Sequence, residues 1–272
     1  MFDTHCHLNF SAFKNNLKEV INNAKAVGVD QIVIPGTDFE SSKRAVEIAG
    51  KYEGIYAAIG IHPHHVYELH QKARYSKKIS SLLPLLKSKK VVAIGEIGVD
   101  RHIYQKTKYK EYGVDEVFIE YQKAFLRAQI DLAIQYKKSI IFHNRDAKND
   151  LLTVIREKWN KKLEERMVFH CCEADEELLD FAKNHKVFIG VDGDITYDRK
   201  KQEFIKKIPL DLLVLETDSP FLKPIGIKFP NEPKNLKIIV ECIAQLTTTP
   251  TNRLIEATIK NAKRLFQLKK EK

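Results

Sequence analysis

Long apolar runs are missing from this chain. No stretch approaches the roughly 20 consecutive apolar residues that a membrane helix requires. The first eight residues carry Asp3, His5 and His7, where a secretory signal would be apolar. Both absences predict a soluble, cytoplasmic protein without membrane partners. Cysteine is also sparse: Cys6, Cys171, Cys172 and Cys242 have neither the spacing of a disulfide framework nor a Cys-x-x-Cys pair, which suits a reducing compartment. No low-complexity linker or internal repeat marks a boundary, so residues 1–272 read as one domain. Nothing marks a large apolar surface either, and a monomer is expected.

What is present is enough for a large core, since 43% of the 272 residues are hydrophobic. The 46 Lys and Arg against 36 Asp and Glu give a net charge of +10, which favours weak attraction to polyanions such as nucleic acid. Part of the excess is Lys269, Lys270 and Lys272 in the tail, and a basic surface with no nucleic-acid partner is the alternative.

Short apolar runs ending in polar or metal-capable residues recur along the whole chain. They are Met1 to Leu8, Gln31 to Gly36, Ile55 to Pro63, Val91 to Asp100, Ser139 to Asp146, Met167 to Cys172, Val187 to Gly193 and Leu212 to Pro220. Between them, residues such as Phe125, Ala128 and Leu132, or Leu178, Phe181 and Ala182, recur near helical spacing. Eight strands alternating with helices predict an α/β fold, a (β/α)8 TIM barrel. A last helix from about Asn252 to Leu268, with Asn252 as N-cap after Pro250, closes the outer ring. The segment from Arg101 to about Tyr121 is long for a connection and mixes Tyr104, Tyr109 and Tyr112 with Lys106, Lys108 and Lys110. It reads as a lid, a substrate arm that stacks bases, or a solvated loop.

The metal-capable residues fall at the C-terminal ends of these strands, where barrel enzymes build their sites. Alternation along the first run turns His5 and His7 inward together and Cys6 outward, so the two imidazoles suit a shared divalent ion. Glu96 falls in the closing segment of the fourth run, His143 of the fifth, His170 of the sixth and Asp218 of the eighth. Nitrogen and carboxylate donors match a hydrolytic site for Zn, Mn or Mg, with Glu96 as the candidate bridge. Two ions held in this way acidify bound water and neutralise charge on a phosphoryl oxygen. Asp218 is the candidate to accept the proton. Cys172 shares a strand face with His170 and either lines the pocket or is a buried structural thiol.

Six ordered motifs then become specific together: Asp3-Thr4-His5-Cys6-His7-Leu8, Gly60-Ile61-His62-Pro63-His64, Gly95-Glu96-Ile97-Gly98-Val99-Asp100, Phe142-His143-Asn144-Arg145-Asp146-Ala147, Phe169-His170-Cys171 and Glu216-Thr217-Asp218-Ser219-Pro220. With Asn231-Glu232-Pro233 they resemble the signatures of the TatD family of metal-dependent deoxyribonucleases, within the amidohydrolase superfamily. The resemblance implies two or three divalent metals and hydrolysis of DNA, single-stranded or at 3′ ends, often as an exonuclease. It implies that His5, His7, Glu96 and Asp218 hold one metal and that Glu96, His143 and His170 hold the other. It puts His62 beside the scissile phosphate and Arg145 behind it, with His64 in the same pocket. The bland alternatives are that His62 and His64 only frame a turn at Pro63, and that Arg145 pairs with Asp146 or Glu216.

One departure matters. Where the family carries arginines before Asn-Glu-Pro, this chain reads Gly226-Ile227-Lys228-Phe229-Pro230, which changes how a nucleic-acid backbone is held at that edge. A metal-dependent ester or amide hydrolase, such as a D-aminoacyl-tRNA deacylase, is therefore the competing enzyme. A non-catalytic nucleic-acid-binding barrel is the competing non-enzyme.

Overall fold

The computed structural model describes residues 1–72 and 79–268, so the tail lysines Lys269, Lys270 and Lys272 lie outside the described residues. Eight strands run parallel, each beside the next in sequence: β1 Phe2–Asp3, β2 Gln31–Pro35, β3 Ile55–Ile59, β4 Val91–Asp100, β5 Ser139–Arg145, β6 Met167–Phe169, β7 Phe188–Val191 and β8 Leu213–Leu215. Helices alternate with them, as the apolar periodicity predicts. Backbone bonds from Thr4 N–H to Leu215 O (2.9 Å) and from Asp218 N–H to His5 O (2.9 Å), with a bridge between Cys6 and Ser219, bring β8 back to β1 and nearly close the barrel.

Alternation divides each strand between two cores. Val33, Val168, Phe188 and Val214 point into the barrel and pack with Phe2. Their neighbours Ile32, Ile34, Met167, Phe169, Leu213 and Leu215 face the helices. The end of the last helix plugs the barrel floor with Leu265 and Phe266, the Phe266 ring lying 5.8 Å from that of Phe2. The opposite rim is left to polar side chains. No helix among the described residues is long and apolar enough to cross a membrane.

Several expected strands are shorter than their apolar runs. The ladder ends at Asp3, Phe169 and Leu215, and the residues beyond are held by side chains instead. Buried Asp3 accepts from His5 N–H, Thr217 N–H and the Thr217 hydroxyl, tying the ends of β1 and β8 together. The last helix spans Thr251–Leu265 with Pro250, not Asn252, at the N-cap: proline lacks the N–H that a helix start leaves unbonded, and its fixed φ suits the entry. The long connection after β4 ends at Asp115, whose carboxylate accepts from Phe118 N–H and caps helix Glu116–Gln135. Tyr121 is therefore helical. His62 and Pro63 frame no simple turn, because Pro63 opens helix Pro63–Lys72.

At Gly98 of β4 an added Cβ would collide with the His143 carbonyl of β5. Gly98→Ala therefore has to push the strands apart. It is expected to cost about 1–3 kcal/mol and to shift His143, read as a lowered denaturant midpoint with unchanged m-value.

Candidate metal centre

Five strand ends bring the chemistry to one place. His5 and His7 follow β1, Glu96 lies in β4, His143 in β5, His170 follows β6 and Asp218 follows β8, all on one rim and all lining one cleft of about 590 Å³ except His5, which lies beneath it. His5 and His7 do point the same way, with their Nε2 atoms 3.2 Å apart, and Cys6 turns into the core. The His5 and His170 rings stack at 3.4 Å between centroids, so β1 and β6 meet as one cluster.

Glu96 sits at its centre. Its Oε2 lies 3.5 Å from His5 Nε2 and 3.7 Å from His7 Nε2, while its Oε1 accepts from His143 Nδ1 at 2.8 Å and lies 3.6 Å from His62 Nε2 and 3.7 Å from His170 Nε2. Asp218 Oδ1 is buried without a hydrogen-bond partner, 3.4 Å from His7 Nε2, 3.6 Å from His5 Nε2 and 3.9 Å from His170 Nε2. Three imidazole nitrogens around one unbonded carboxylate oxygen form a donor set suited to a divalent cation. Groups that could hold ions are His5, His7 and Glu96, and His5, His170 and Asp218, with a further group of His62, Asp100 and His143.

The local electrostatics follow from this crowding. Burial, then the neighbouring His170, push His5 down to about 4, leaving it neutral with a free lone pair. For His170 burial is outweighed by the Glu216 charge and hydrogen bond, and it is pushed up to about 10. Burial is likewise outweighed at His143 by its bonds to Asp100 and Glu96, which push it up to about 9. Against its own burial, Glu96 is held well below the usual carboxylate range by the surrounding imidazoles.

Two carboxylates here are not in the ligand set read from the sequence. Glu216 Oε1 accepts from His170 Nδ1 at 2.9 Å, fixing the ring so that Nε2 faces the cluster. It fits only because position 190 is glycine: a Cβ there would lie 2.5 Å from the carboxylate. Asp100 Oδ2 bonds His143 Nε2 at 3.0 Å and takes the Tyr104 hydroxyl at 2.7 Å. Asn144 also lines the cleft, with both amide atoms unbonded.

Of the residues expected to touch substrate, His62 is partly buried beside the cluster and its Nδ1 accepts from His64 N–H. His64 lines the cleft, but its Nε2 is engaged by the Thr107 hydroxyl at 3.0 Å. Arg145 pairs with neither Asp146 nor Glu216; its guanidinium lies over the Tyr104 ring and donates to the Tyr104 hydroxyl. The loop of residues 101–115 packs inward through its tyrosines, with Tyr109 OH 2.8 Å from His65 Nδ1 and Tyr112 against Tyr67 and Phe118. It is a packed wall of the cleft and not a free stacking platform. Cys171, not Cys172, faces the cleft: φ of 44° at Cys171 breaks the strand alternation and leaves Cys172 buried behind it. The departing stretch 226–230 exposes Phe229, and Ile225 precedes it. Asn231 is buried and donates to Thr217 O at 3.0 Å, pinning the chain behind Asp218.

Comparison with known proteins is consistent along the whole chain. The family described as TatD related DNase matches residues 2–267. An uncharacterized metal-dependent hydrolase, YabD of Bacillus subtilis, is 35% identical over 98% of this chain and 99% of its own length. The 3′-5′ ssDNA/RNA exonuclease TatD of Edwardsiella piscicida is 30% identical over 98% of this chain and all of its own. The crystal structure of YJJV, a TatD homolog from Escherichia coli K12, superposes with a TM-score of 0.85 at 29% identity, covering 99% of this chain and 98% of that one.

Proposed function

This chain belongs to the TatD-related DNase family of metal-dependent hydrolases, and from that premise we propose that it hydrolyses phosphodiester bonds of single-stranded DNA, exonucleolytically from the 3′ end. The observation that carries the reading is the Glu96 carboxylate, one oxygen facing His5 and His7 and the other facing His143 and His170. His5, His7, Glu96 and Asp218 would hold one divalent ion and Glu96, His143 and His170 a second, of zinc, manganese or magnesium. Bound there, the ions supply Lewis acidity to a phosphoryl oxygen and acidify water.

The chain's own side chains do the rest. Asp218, unbonded through Oδ1, takes the proton from the attacking water and steers it. Glu216 and Asp100 hold His170 and His143 in their working orientations. Arg145, exposed on the cleft wall, offers a planar fork to phosphate, and His62 lies beside the same oxygen region. Phe10 stacks on His7 at 4.3 Å and meets Phe221 edge-on at 6.0 Å, giving a terminal base an aromatic wall.

A second reading has one specific observation behind it. Exposed Ile225 and Phe229 lie in the stretch before Asn231 where the family's arginines would grip a backbone, which favours an acyl ester such as mischarged aminoacyl-tRNA. The experiment runs both substrates side by side. Metal-stripped full-length protein is given magnesium, manganese or zinc with 5′-labelled single-stranded DNA, or with D-aminoacyl-tRNA. A ladder of products shortened from the 3′ end, abolished by chelator, is expected. Intact DNA in every metal, or turnover of the acyl ester faster by orders of magnitude, removes the nuclease reading.

A further inference from the structure

A second group of donors lies on the β7 side of the same rim. Cys171 follows His170, Asp192 and Asp194 follow β7, and Lys201 reaches back from helix Arg199–Ile205. The Cys171 sulfur and one oxygen from each aspartate all lie within 4.8 Å of one another. Asp192 is completely buried, and its Oδ1 is used by Asp194 N–H at 3.0 Å. Its Oδ2 has no hydrogen-bond partner, nor has Oδ1 of the nearly buried Asp194.

Among the described residues, the one cation at this cluster is the Lys201 ammonium, 2.5 Å from Asp194 Oδ2, 3.9 Å from Asp192 Oδ2 and 3.4 Å from Cys171 Sγ. Two buried carboxylates therefore face one ammonium, and the cluster is short of one positive charge. Burial, then the Asp192 carboxylate, push Asp194 up to about 7. Unpaired buried charge is strongly unfavourable, so a group in this state takes up either a proton or a cation.

We propose that Cys171, Asp192 and Asp194 form an additional site for a divalent transition metal, zinc or its analogue cobalt, distinct from the centre around Glu96. A sulfur among the donors selects against magnesium and calcium, which prefer oxygen alone. Three protein donors leave a fourth tetrahedral position for water. On binding, the thiol proton leaves to solvent and a metal–sulfur bond forms, with no change of oxidation state. Lys201 already lines the main cleft, so its ammonium has open space to withdraw into when the metal takes the carboxylates. The two centres are mechanically joined, because Glu216 Oε1, which orients His170, also accepts from Cys171 N–H at 2.6 Å. Metal would bind at Cys171, Asp192 and Asp194 whichever substrate the main site cleaves.

Cobalt reports on this site without any assay of activity, because a sulfur–cobalt bond gives a near-ultraviolet charge-transfer band that imidazole and carboxylate ligands lack. Metal-stripped full-length protein titrated with cobalt is expected to develop that band. Asp218→Asn should keep it and Cys171→Ser should lose it. Zinc-loaded Cys171→Ser should retain one ion fewer per chain than wild type by elemental analysis. Asp192→Asn, which preserves shape and keeps the thiol, should weaken cobalt binding at this band at least about tenfold. Circular dichroism and the thermal midpoint check that each variant is folded. Absence of the band in wild type at saturating cobalt, its survival in Cys171→Ser, or equal zinc content in wild type and both site variants overturns the proposal.

Discussion

Asp218→Asn is expected to lower kcat/KM on DNA by about 10²–10⁴-fold, the range that a positioned general base supplies, while the thermal midpoint stays close to wild type. The fold should tolerate the change for a conformational reason. Asp218 has a φ of 49°, in the left-handed region, and asparagine enters that region more readily than other non-glycine residues. Its backbone is held independently of its side chain, through Asp218 N–H to His5 O and through Asn231 behind Thr217. The carboxylate oxygen that faces His5, His7 and His170 carries no structural hydrogen bond to lose. An amide there presents either a neutral oxygen or two hydrogens, so it can neither take a proton nor help hold an ion as a carboxylate does. Retention of more than a tenth of the activity, in protein shown to bind its metals normally, would remove Asp218 from the proton-transfer role.

How much of this could be read from residues alone depended on where the backbone stays regular. The strand count was legible because buried parallel strands are continuous apolar runs, and in β4 the run and the strand coincide over Val91–Asp100. Elsewhere the runs outlast the ladder, since His5, His170 and Asp218 sit in irregular rim segments that side chains such as Asp3 and Thr217 hold together. A tie between residues more than 200 positions apart leaves no local signal. The candidate ligands were legible because each lies in the C-terminal half of a run, and the structure clusters His5 with His170 and Glu96 with His143. Asp100 could have been found, as it shares the parity of Glu96 and Gly98 on β4 and must face the same side. Glu216 was harder. Its place beside His170 depends on the missing side chain at Gly190, two strands' worth of context that no short motif carries. The exchange of Cys171 for Cys172 at the cleft came from a single positive φ, which alternation cannot anticipate.

The sharpest comparison among carboxylates is between Glu96→Gln and Glu216→Gln, which are close in space and identical in chemistry. Glu96 is surrounded by five imidazoles: His5 and His7 face one oxygen, and His143, His170 and His62 the other. Glu216 touches one, through the ring nitrogen of His170 that faces away from the cluster. If Glu96 bridges two ions, an amide in its place removes negative charge from both at once and offers only one oxygen. Glu96→Gln should then reduce bound metal by more than one ion per chain and abolish measurable turnover in every metal. Glu216→Gln only loosens the orientation of a single ligand and should cost about 10–100-fold in affinity, so that excess metal restores part of its activity. Elemental analysis after dialysis, with turnover followed as metal is added back, separates the two. Rescue of both variants by excess metal to the same extent would make Glu96 an ordinary ligand of one ion. The division of His5 and His7 from His143 and His170 across its two oxygens would then have no bearing on catalysis.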